Sequence, residues 1–311
     1  MNMSPDRNIS IEMINHLETA GLRAAFLPYR AMEQIKKSYD ELFERSKDIP
    51  YVQNAIKHFQ NHQPPNIPFE PLSFFIVAFP GDDAQIILRI EGKQIAVPIP
   101  PPFNDPAEQK RCNEIVESTL KGHQTAHTRG ISQKLLTVIS GLGRYGRNNI
   151  CYIEGLGSYF NLRAFYTDIP CTGNVQPLRF LDECDMCLLC RENCPTGVIG
   201  PNTVIDATRC LSMYNENDGA IPDWIPPSAH HAMIRCSRCQ DVCPANKAWP
   251  KKKTRTLELN EIETQALLSL DSATIPLELK QKLCLFGFDD RLISLAGRNA
   301  NLALKNLKEM S

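Results

Sequence analysis

Apolar residues recur at helical spacing at Ile11, Ile14 and Leu17 and stop before Gly21, which predicts a first helix closed by a glycine cap. Arg23 to Leu27 is short and apolar enough for a strand, and Met32 to Ser46 reads as a long amphipathic helix with its charges outward. The run S-F-F-I-V-A-F-P from Ser73 to Pro80 suits a buried central strand. Gln85 to Ile90 and Gln94 to Val97 flank Glu91-Gly92-Lys93 and predict a hairpin; the prolines between Pro98 and Pro106 predict a loop, and Ala107 to Leu120 a helix. Further strands are expected at Ile150 to Ile153 and in the apolar stretch that ends at Tyr166. After Lys253, helical spacing returns at Ile262, Leu267 and Leu268, then at Leu292, Leu295, Leu302 and Leu304. Helices mixed with strands that need not be parallel predict an α+β fold.

A chain of 311 residues with 42% hydrophobic content can hold one large domain and one or two small ones. Its formal net charge of −1 argues against strong non-specific attraction to nucleic-acid phosphates. The strongest basic run, Lys251-Lys252-Lys253-Thr254-Arg255, reads as a solvated linker. The opening M-N-M-S-P-D-R-N-I-S lacks the basic start and apolar core of a secretory signal, and the longest apolar stretch, Phe74 to Phe79, is too short to span a bilayer. A cytoplasmic protein with no membrane part is expected.

Cysteine changes the picture. Cys184, Cys187, Cys190 and Cys194 stand in C-D-M-C-L-L-C-R-E-N-C-P, a spacing that wraps thiolates around a [4Fe-4S] cube. Cys236, Cys239 and Cys243 repeat the pattern with one thiolate missing, and Cys210 lies upstream to fill the gap. In two-cluster ferredoxins the last cysteine of each run reaches across to the other cluster. Cys184, Cys187 and Cys190 then pair with Cys243, and Cys210, Cys236 and Cys239 with Cys194. A zinc ribbon is the competing reading, but it explains neither the third closely spaced cysteine nor the two Cys-Pro endings. Pro195 and Pro244 can each stop a helix and turn the chain as it leaves its cluster. Cys112, Cys151, Cys171 and Cys284 have no ligand spacing and read as inert thiols. Thiolate clusters need a reducing compartment.

The other informative segment is G-L-G-R-Y-G-R-N from Gly141 to Asn148, followed by a strand and by G-L-G-S-Y-F from Gly155. Closely spaced glycines let backbone approach a cofactor or a neighbouring strand. The G-x-G-x-x-G spacing precedes a strand instead of following one, which excludes a nicotinamide fingerprint.

The order of G-L-G-x-x-G-x-N, G-S-aromatic-F, T-D-I-P and two ferredoxin runs resembles epoxyqueuosine reductases. The likeness is strongest from Gly141 to Asn246, continues faintly into R-N-A-N-L-A-L from Arg298, and before residue 120 is little more than a matching order of elements. It implies a nitroreductase-like, cobalamin-binding domain over 1–172, a bacterial-ferredoxin-like double [4Fe-4S] domain over 173–250, and a short helical C-terminal region over 251–311. Reductive dehalogenases are similar in the same places. Under the resemblance, Gly141, Gly143, Gly146, Asn148, Gly157 and Ser158 match the stretch against the corrinoid. For the glycine segment taken alone, a tight turn between helix and strand is the competing reading. An external donor of the ferredoxin or flavodoxin type would feed the clusters, and reduced cobalt would act on a small-molecule or modified-nucleoside substrate. Transfer RNA is not favoured, and the C-terminal helices read as a brace for the cluster domain.

The chain also departs from that family. Where the family keeps an aspartate as proton donor, this chain reads His123-Q-T-A-His127-T-R-G-I-S; the family's Gly-Glu becomes Arg163-Ala164, and its W-x-G-K becomes Arg144-Tyr145-Gly146-Arg147. His127 is the expected replacement acid, with Tyr145 as a dehalogenase-like alternative. Two functions follow: a cobalamin-dependent reductase whose substrate is not epoxyqueuosine, or an electron-transfer protein that reduces a partner such as a corrinoid protein.

Overall fold

The computed structural model describes residues 5–60, 66–103, 105–200, 203–247, 254–269 and 275–309, so the lysines at 251–253 lie outside the described residues. Helix α1 (Pro5–Thr19) is followed by Gly21 at φ +86°, a left-handed position that costs glycine nothing. Strand β1 (Arg23–Pro28), α2 (Met32–Arg45) and an unforeseen α3 (Pro50–Gln60) precede β2 (Ser73–Pro80). Then come β3 (Asp82–Ile90), β4 (Lys93–Phe103), α4 (Pro106–Thr119), β5 (Thr125–His127), α5 (Gln133–Ile139), β6 (Gly143–Tyr145), β7 (Cys151–Ile153) and β8 (Phe160–Thr167).

An antiparallel sheet of order β1-β2-β8-β5 organises the first half of the molecule. β2 is continuously apolar because helices cover both faces of the sheet. Leu27, Phe74, Ile76, Ala164 and Tyr166 face Tyr39 of α2, Ile56 of α3 and Leu136 of α5. Phe26, Phe75, Val77 and Phe165 point the other way, onto Leu17 of α1 and Val116 of α4. The period-two alternation of a strand assigns each residue to its side.

The cluster segment is nearly all loop, with short helices α6 (Leu189–Glu192), α7 (Leu211–Asn215) and α8 (Arg238–Asp241). Beyond it, β9 (Arg255–Glu258) pairs in parallel with β3, so that a second sheet has the order β4-β3-β9. Helices α9 (Glu261–Leu268), α10 (Leu277–Leu285) and α11 (Asp290–Glu309) pack on this sheet, joining Leu267, Leu283, Ile293 and Ala300 to Ile86, Leu88, Val97 and Ile99 in one core. The expected C-terminal helices are present, but they carry a strand and share their core with a hairpin from the first third of the chain. That hairpin turns at Glu91 (φ +51°) and Gly92 (φ +73°), the two left-handed positions of a tight hairpin turn.

One expectation is corrected here. Pro98 to Phe103 is not a loop; it continues β4. β4 is the edge of its sheet, where a missing N–H breaks no ladder bond, and the carbonyls remain useful: Pro98 O accepts the Met233 N–H at 2.9 Å, and Pro102 O accepts from Arg235. Among the described residues no helix is long and apolar enough to cross a membrane.

Candidate functional site

The two cysteine runs interlace. Cys184, Cys187 and Cys190 line one cavity together with Cys243 from the second run; its empty volume is about 350 Å³. Cys236, Cys239 and Cys210 line a second cavity with Cys194 from the first run. α6 carries Cys190 and α8 carries Cys239, so each run is coiled into a single helical turn that gathers its sulfurs before Pro195 or Pro244 redirects the chain. Four thiols lining one cavity are the donor set of a [4Fe-4S] cube, and the residues fit that group. Among the described residues, no three His, Cys, Asp or Glu side chains converge on a single-ion position. Burial pushes the Cys236 thiol up to about 12 and raises Cys239 still further, with the neighbouring thiols adding to the shift. Such a nest of sulfurs stays protonated until a metal exchanges for the protons.

The glycine segment is the dock on which this domain sits. α5 ends at Gly141, whose φ of +85° closes the helix. A Cβ on Gly143 would lie 2.8 Å from Cys151 Sγ, 2.9 Å from Tyr152 O and 3.1 Å from Thr137 Cγ2, and one on Gly146 would lie 2.6 Å from the Tyr152 ring. At Gly157 (φ +60°) a Cβ would collide with Asn246 Oδ1. Asn148 donates to Tyr152 Oη at 2.9 Å and to Cys239 O at 3.4 Å; the Ser158 N–H donates to Asn246 Oδ1 at 2.8 Å, and its hydroxyl bonds Gln240 Oε1 at 2.8 Å. The atoms that crowd these positions are protein atoms: α5, β7 and the tail of the second cysteine run. The neighbouring Arg147 was not foreseen. Its N–H donates to Cys184 Sγ at 3.3 Å, and its guanidinium bonds the carbonyls of Cys184 and Cys187.

A pocket of about 1000 Å³ opens beside this seam, beneath α2 and α3, with Leu42, Val52, Ile56, Leu178 and Phe180 among its apolar walls. Gly146 belongs to its wall and also to the first cysteine cavity; Asn149, Lys134 and Tyr51 belong to its wall and also to the second. Tyr145 lines it too. The Tyr145 hydroxyl bonds the Ser132 side chain, and burial holds its pKa well above the usual tyrosine value. Tyr39 Oη accepts the Ser132 N–H at 2.9 Å, with burial pushing its pKa up to about 12. Lys134 lies in the first turn of α5, and burial lowers its pKa. Its Nζ donates to Asn149 O at 2.9 Å and to Asn149 Oδ1 at 3.0 Å. Sequence reasoning missed Lys134; the signal was present in Q-K-L-L-T-V-I, a helix so apolar that its polar residues are carried inward.

His127 is elsewhere. It ends the edge strand β5 opposite Phe165, with the two rings 4.5 Å apart. Phe165 belongs to the sheet face covered by α1 and α4, whereas Tyr145 and the pocket lie on the α2 and α3 side. His127 and Tyr145 are therefore not brought together. Arg163 also points to the α4 side, bonding Gln109 Oε1 at 3.1 Å and lying 5.1 Å over the Phe79 ring.

Residues 183–246 match the 4Fe-4S double cluster binding domain family. Epoxyqueuosine reductase from Bacillus subtilis is 28% identical over 205 residues, 64% of this chain and 52% of its own length. The Escherichia coli enzyme is 34% identical over 118 residues, 38% of this chain and 30% of its own. In these alignments the chain spans about a third to a half of the curated relatives. The solved epoxyqueuosine reductase from Streptococcus thermophilus superposes with a TM-score of 0.64 at 18% identity, covering 96% of this chain and 82% of that one. A solved epoxyqueuosine reductase bound to a modified tRNA-Tyr stem loop gives 0.65 at 19% identity, covering 97% and 82%. The chain is thus a divergent, epoxyqueuosine reductase-like protein with a double 4Fe-4S domain, and it shares the fold of those enzymes.

Proposed function

We propose that this epoxyqueuosine reductase-like chain is a cobalamin-dependent reductase in which two [4Fe-4S] clusters feed a corrinoid held in the pocket beneath α2 and α3. One observation carries the reading: that pocket shares wall residues with both cysteine cavities, Gly146 with the first and Asn149, Lys134 and Tyr51 with the second. Its apolar sides, with amide and hydroxyl groups at Asn149, Ser132 and Tyr145, suit a macrocycle whose rim carries amides. Bound there, the corrinoid would supply the cobalt-centred reduction. Asn149, Tyr145, Leu42 and Val52 would hold it. Gly141, Gly143, Gly157, Asn148 and Ser158 would act at one remove, by fixing the cluster domain against the wall.

Among the residues of this chain, Tyr145 takes the part of proton donor. The phenol carries its proton at neutral pH, and its bond with Ser132 orients the hydroxyl. His127 does not serve this pocket. A solved relative from Bacillus subtilis is described with an aspartate catalytic loop; the segment from His123 to Ser132 here has no carboxylate, which supports a substrate other than epoxyqueuosine, either a small molecule or another modified nucleoside. The Met186, Leu188 and Leu189 side chains are exposed beside the first cysteine cavity, where an electron donor of the ferredoxin or flavodoxin type can approach. We infer a nitroreductase-like, cobalamin-binding domain over 1–172, a double [4Fe-4S] domain over 173–250 and a helical C-terminal cap over 251–311, in a cytoplasmic protein.

The test is anaerobic titration of the cluster-loaded protein with cobalamin, followed by absorption and electron paramagnetic resonance. Stoichiometric spectral change is expected. No change at saturating cobalamin overturns the reductase and leaves the electron-transfer protein as the function.

A further inference from the structure

A tyrosine hydroxyl reaches the first cage. Tyr152 lies on β7, is 3% exposed, and lines the first cysteine cavity together with Cys184, Cys187, Cys190 and Cys243. Gly146 leaves room for its ring, because a Cβ there would lie 2.6 Å from Tyr152 Cε2. A phenol buried so far needs partners for its hydroxyl. Asn148 supplies one. Its Oδ1 accepts the Ile150 N–H at 3.2 Å, which turns the amide hydrogens the other way, to Tyr152 Oη at 2.9 Å and to Cys239 O at 3.4 Å. Oη therefore receives a hydrogen bond and has its own proton left to give. The Cys243 side chain takes it, for the two side chains are hydrogen-bonded. Pro244, directly after Cys243, has no N–H to offer that sulfur.

We propose that Tyr152 is a positioning residue of the first cube, whose hydroxyl donates to Cys243 Sγ and holds that cube at a higher potential than its four thiolates alone would give. Reduction adds one electron, supplied by the external donor, and the added negative charge spreads onto the ligand sulfurs. A donated hydrogen bond stabilises that charge, and hydrogen bonds to the sulfurs are among the factors that set a cluster's potential. No covalent bond is made or broken, and the proton stays on Tyr152, as a phenol keeps its proton at neutral pH. Asn148 orients the hydroxyl and ties the same network to the Cys239 carbonyl of the second cage. The inference rests on the cages as cluster sites and not on the corrinoid. It concerns the cage beside the exposed Leu189, so the cube that is tuned is the one on the side where the electron donor approaches.

The experiment is an anaerobic redox titration of cluster-loaded protein without cobalamin, followed by paramagnetic resonance. Tyr152→Phe keeps the ring and deletes only the hydroxyl. It is expected to hold about eight irons and to lower the reduced-to-oxidised ratio of the first cube about tenfold at a fixed potential, about 59 mV for one electron, with the second cube unmoved. After exchange into heavy water, pulsed resonance should show a deuteron coupled to the reduced first cube of the wild type that Tyr152→Phe lacks. Tyr159 is the control: it is also buried, its hydroxyl bonds Asp241 Oδ1 at 3.4 Å, and Tyr159→Phe should leave both potentials in place. Asn148→Ala should shift the first cube in the same direction by less, and it decides if Tyr152→Phe loses its iron. An unmoved first cube, an equal shift of the two cubes in Tyr152→Phe, or an unchanged deuteron signal in that variant overturns the proposal. So does a shift as large in Tyr159→Phe, or loss of iron from both Tyr152→Phe and Asn148→Ala. Failure of the cobalamin titration removes the corrinoid and leaves this inference standing.

Discussion

The two cysteine cages come from the same pair of sequence runs, but they have different surroundings. The first, with Cys184, Cys187, Cys190 and Cys243, sits behind a loop whose Met186 is 95% exposed, and its sulfur and carbonyls are tied by Arg147. The second, with Cys194, Cys210, Cys236 and Cys239, has the Cys236 thiol pushed up to about 12 by burial and that of Cys239 higher still, and it opens onto Tyr51, Lys134 and Asn149. Equal ligand sets thus acquire unequal access to water and to charge, and those two properties set a cluster's potential. The contrast teaches that the cysteine spacing specifies a cube, while distant segments specify its role.

The largest expected effect breaks the interlacing. Cys243→Ser should remove the first cube and Cys194→Ser the second, each taking the iron content from about eight to about four per chain. Iron and sulfide assays with paramagnetic resonance check this. If Cys243→Ser spares the signal that Cys184→Ser removes, the runs do not cross.

Next comes the dock that both cages share. Gly143→Val places carbon against Cys151, Tyr152 and Thr137, and overpacking of that kind costs about 1–3 kcal/mol. The loss should appear as a lower denaturant midpoint in protein that has never met cobalamin. An unchanged midpoint would return Gly143 to the role of a corrinoid contact.

A smaller effect sharpens the difference between the cages. Arg147→Gln removes a positive charge from beside the first cube alone, which disfavours its reduced form. A tenfold fall in the reduced fraction, about 59 mV, is expected for that cube, with the other unmoved and Arg147→Lys restoring most of the loss. A redox titration followed by paramagnetic resonance reads both cubes at once, and an equal shift in the two would deny Arg147 a selective role.

The smallest effect is at His127. His127→Ala should leave the cobalamin titration unchanged and change stability by no more than about 0.5 kcal/mol, because the ring lies exposed on an edge strand against Phe165. Any loss of cobalamin binding in that variant would reconnect the two faces of the sheet.

What the sequence made legible was what is local. Helix α2, strand β2, the 82–103 hairpin and the cysteine sets could be read because their signals lie within a few residues of one another. The rest depended on partners far along the chain. Gly157 is pressed by Asn246, and Gly143 by Cys151 and Thr137, so the closely spaced glycines gave a true sign of close approach without saying to what. The prolines of β4 looked like a loop because only the sheet order reveals an edge. His127 and Tyr145 were both plausible acids in one dimension; strand alternation, and the helices on each side, separate them.

The pairing of β3 with β9 has a consequence for how the molecule is made. Ala84 lies beside Arg255, so everything between them, both cysteine runs included, is one closed loop. Closing so long a loop is entropically slow, and a nascent chain exposes Ile86, Leu88, Val97 and Ile99 until α9, α10 and α11 have been synthesised. During that interval the cysteines are reachable by whatever delivers iron and sulfide. Once the clasp shuts, the segment that carries both cysteine sets is a loop held at both of its ends.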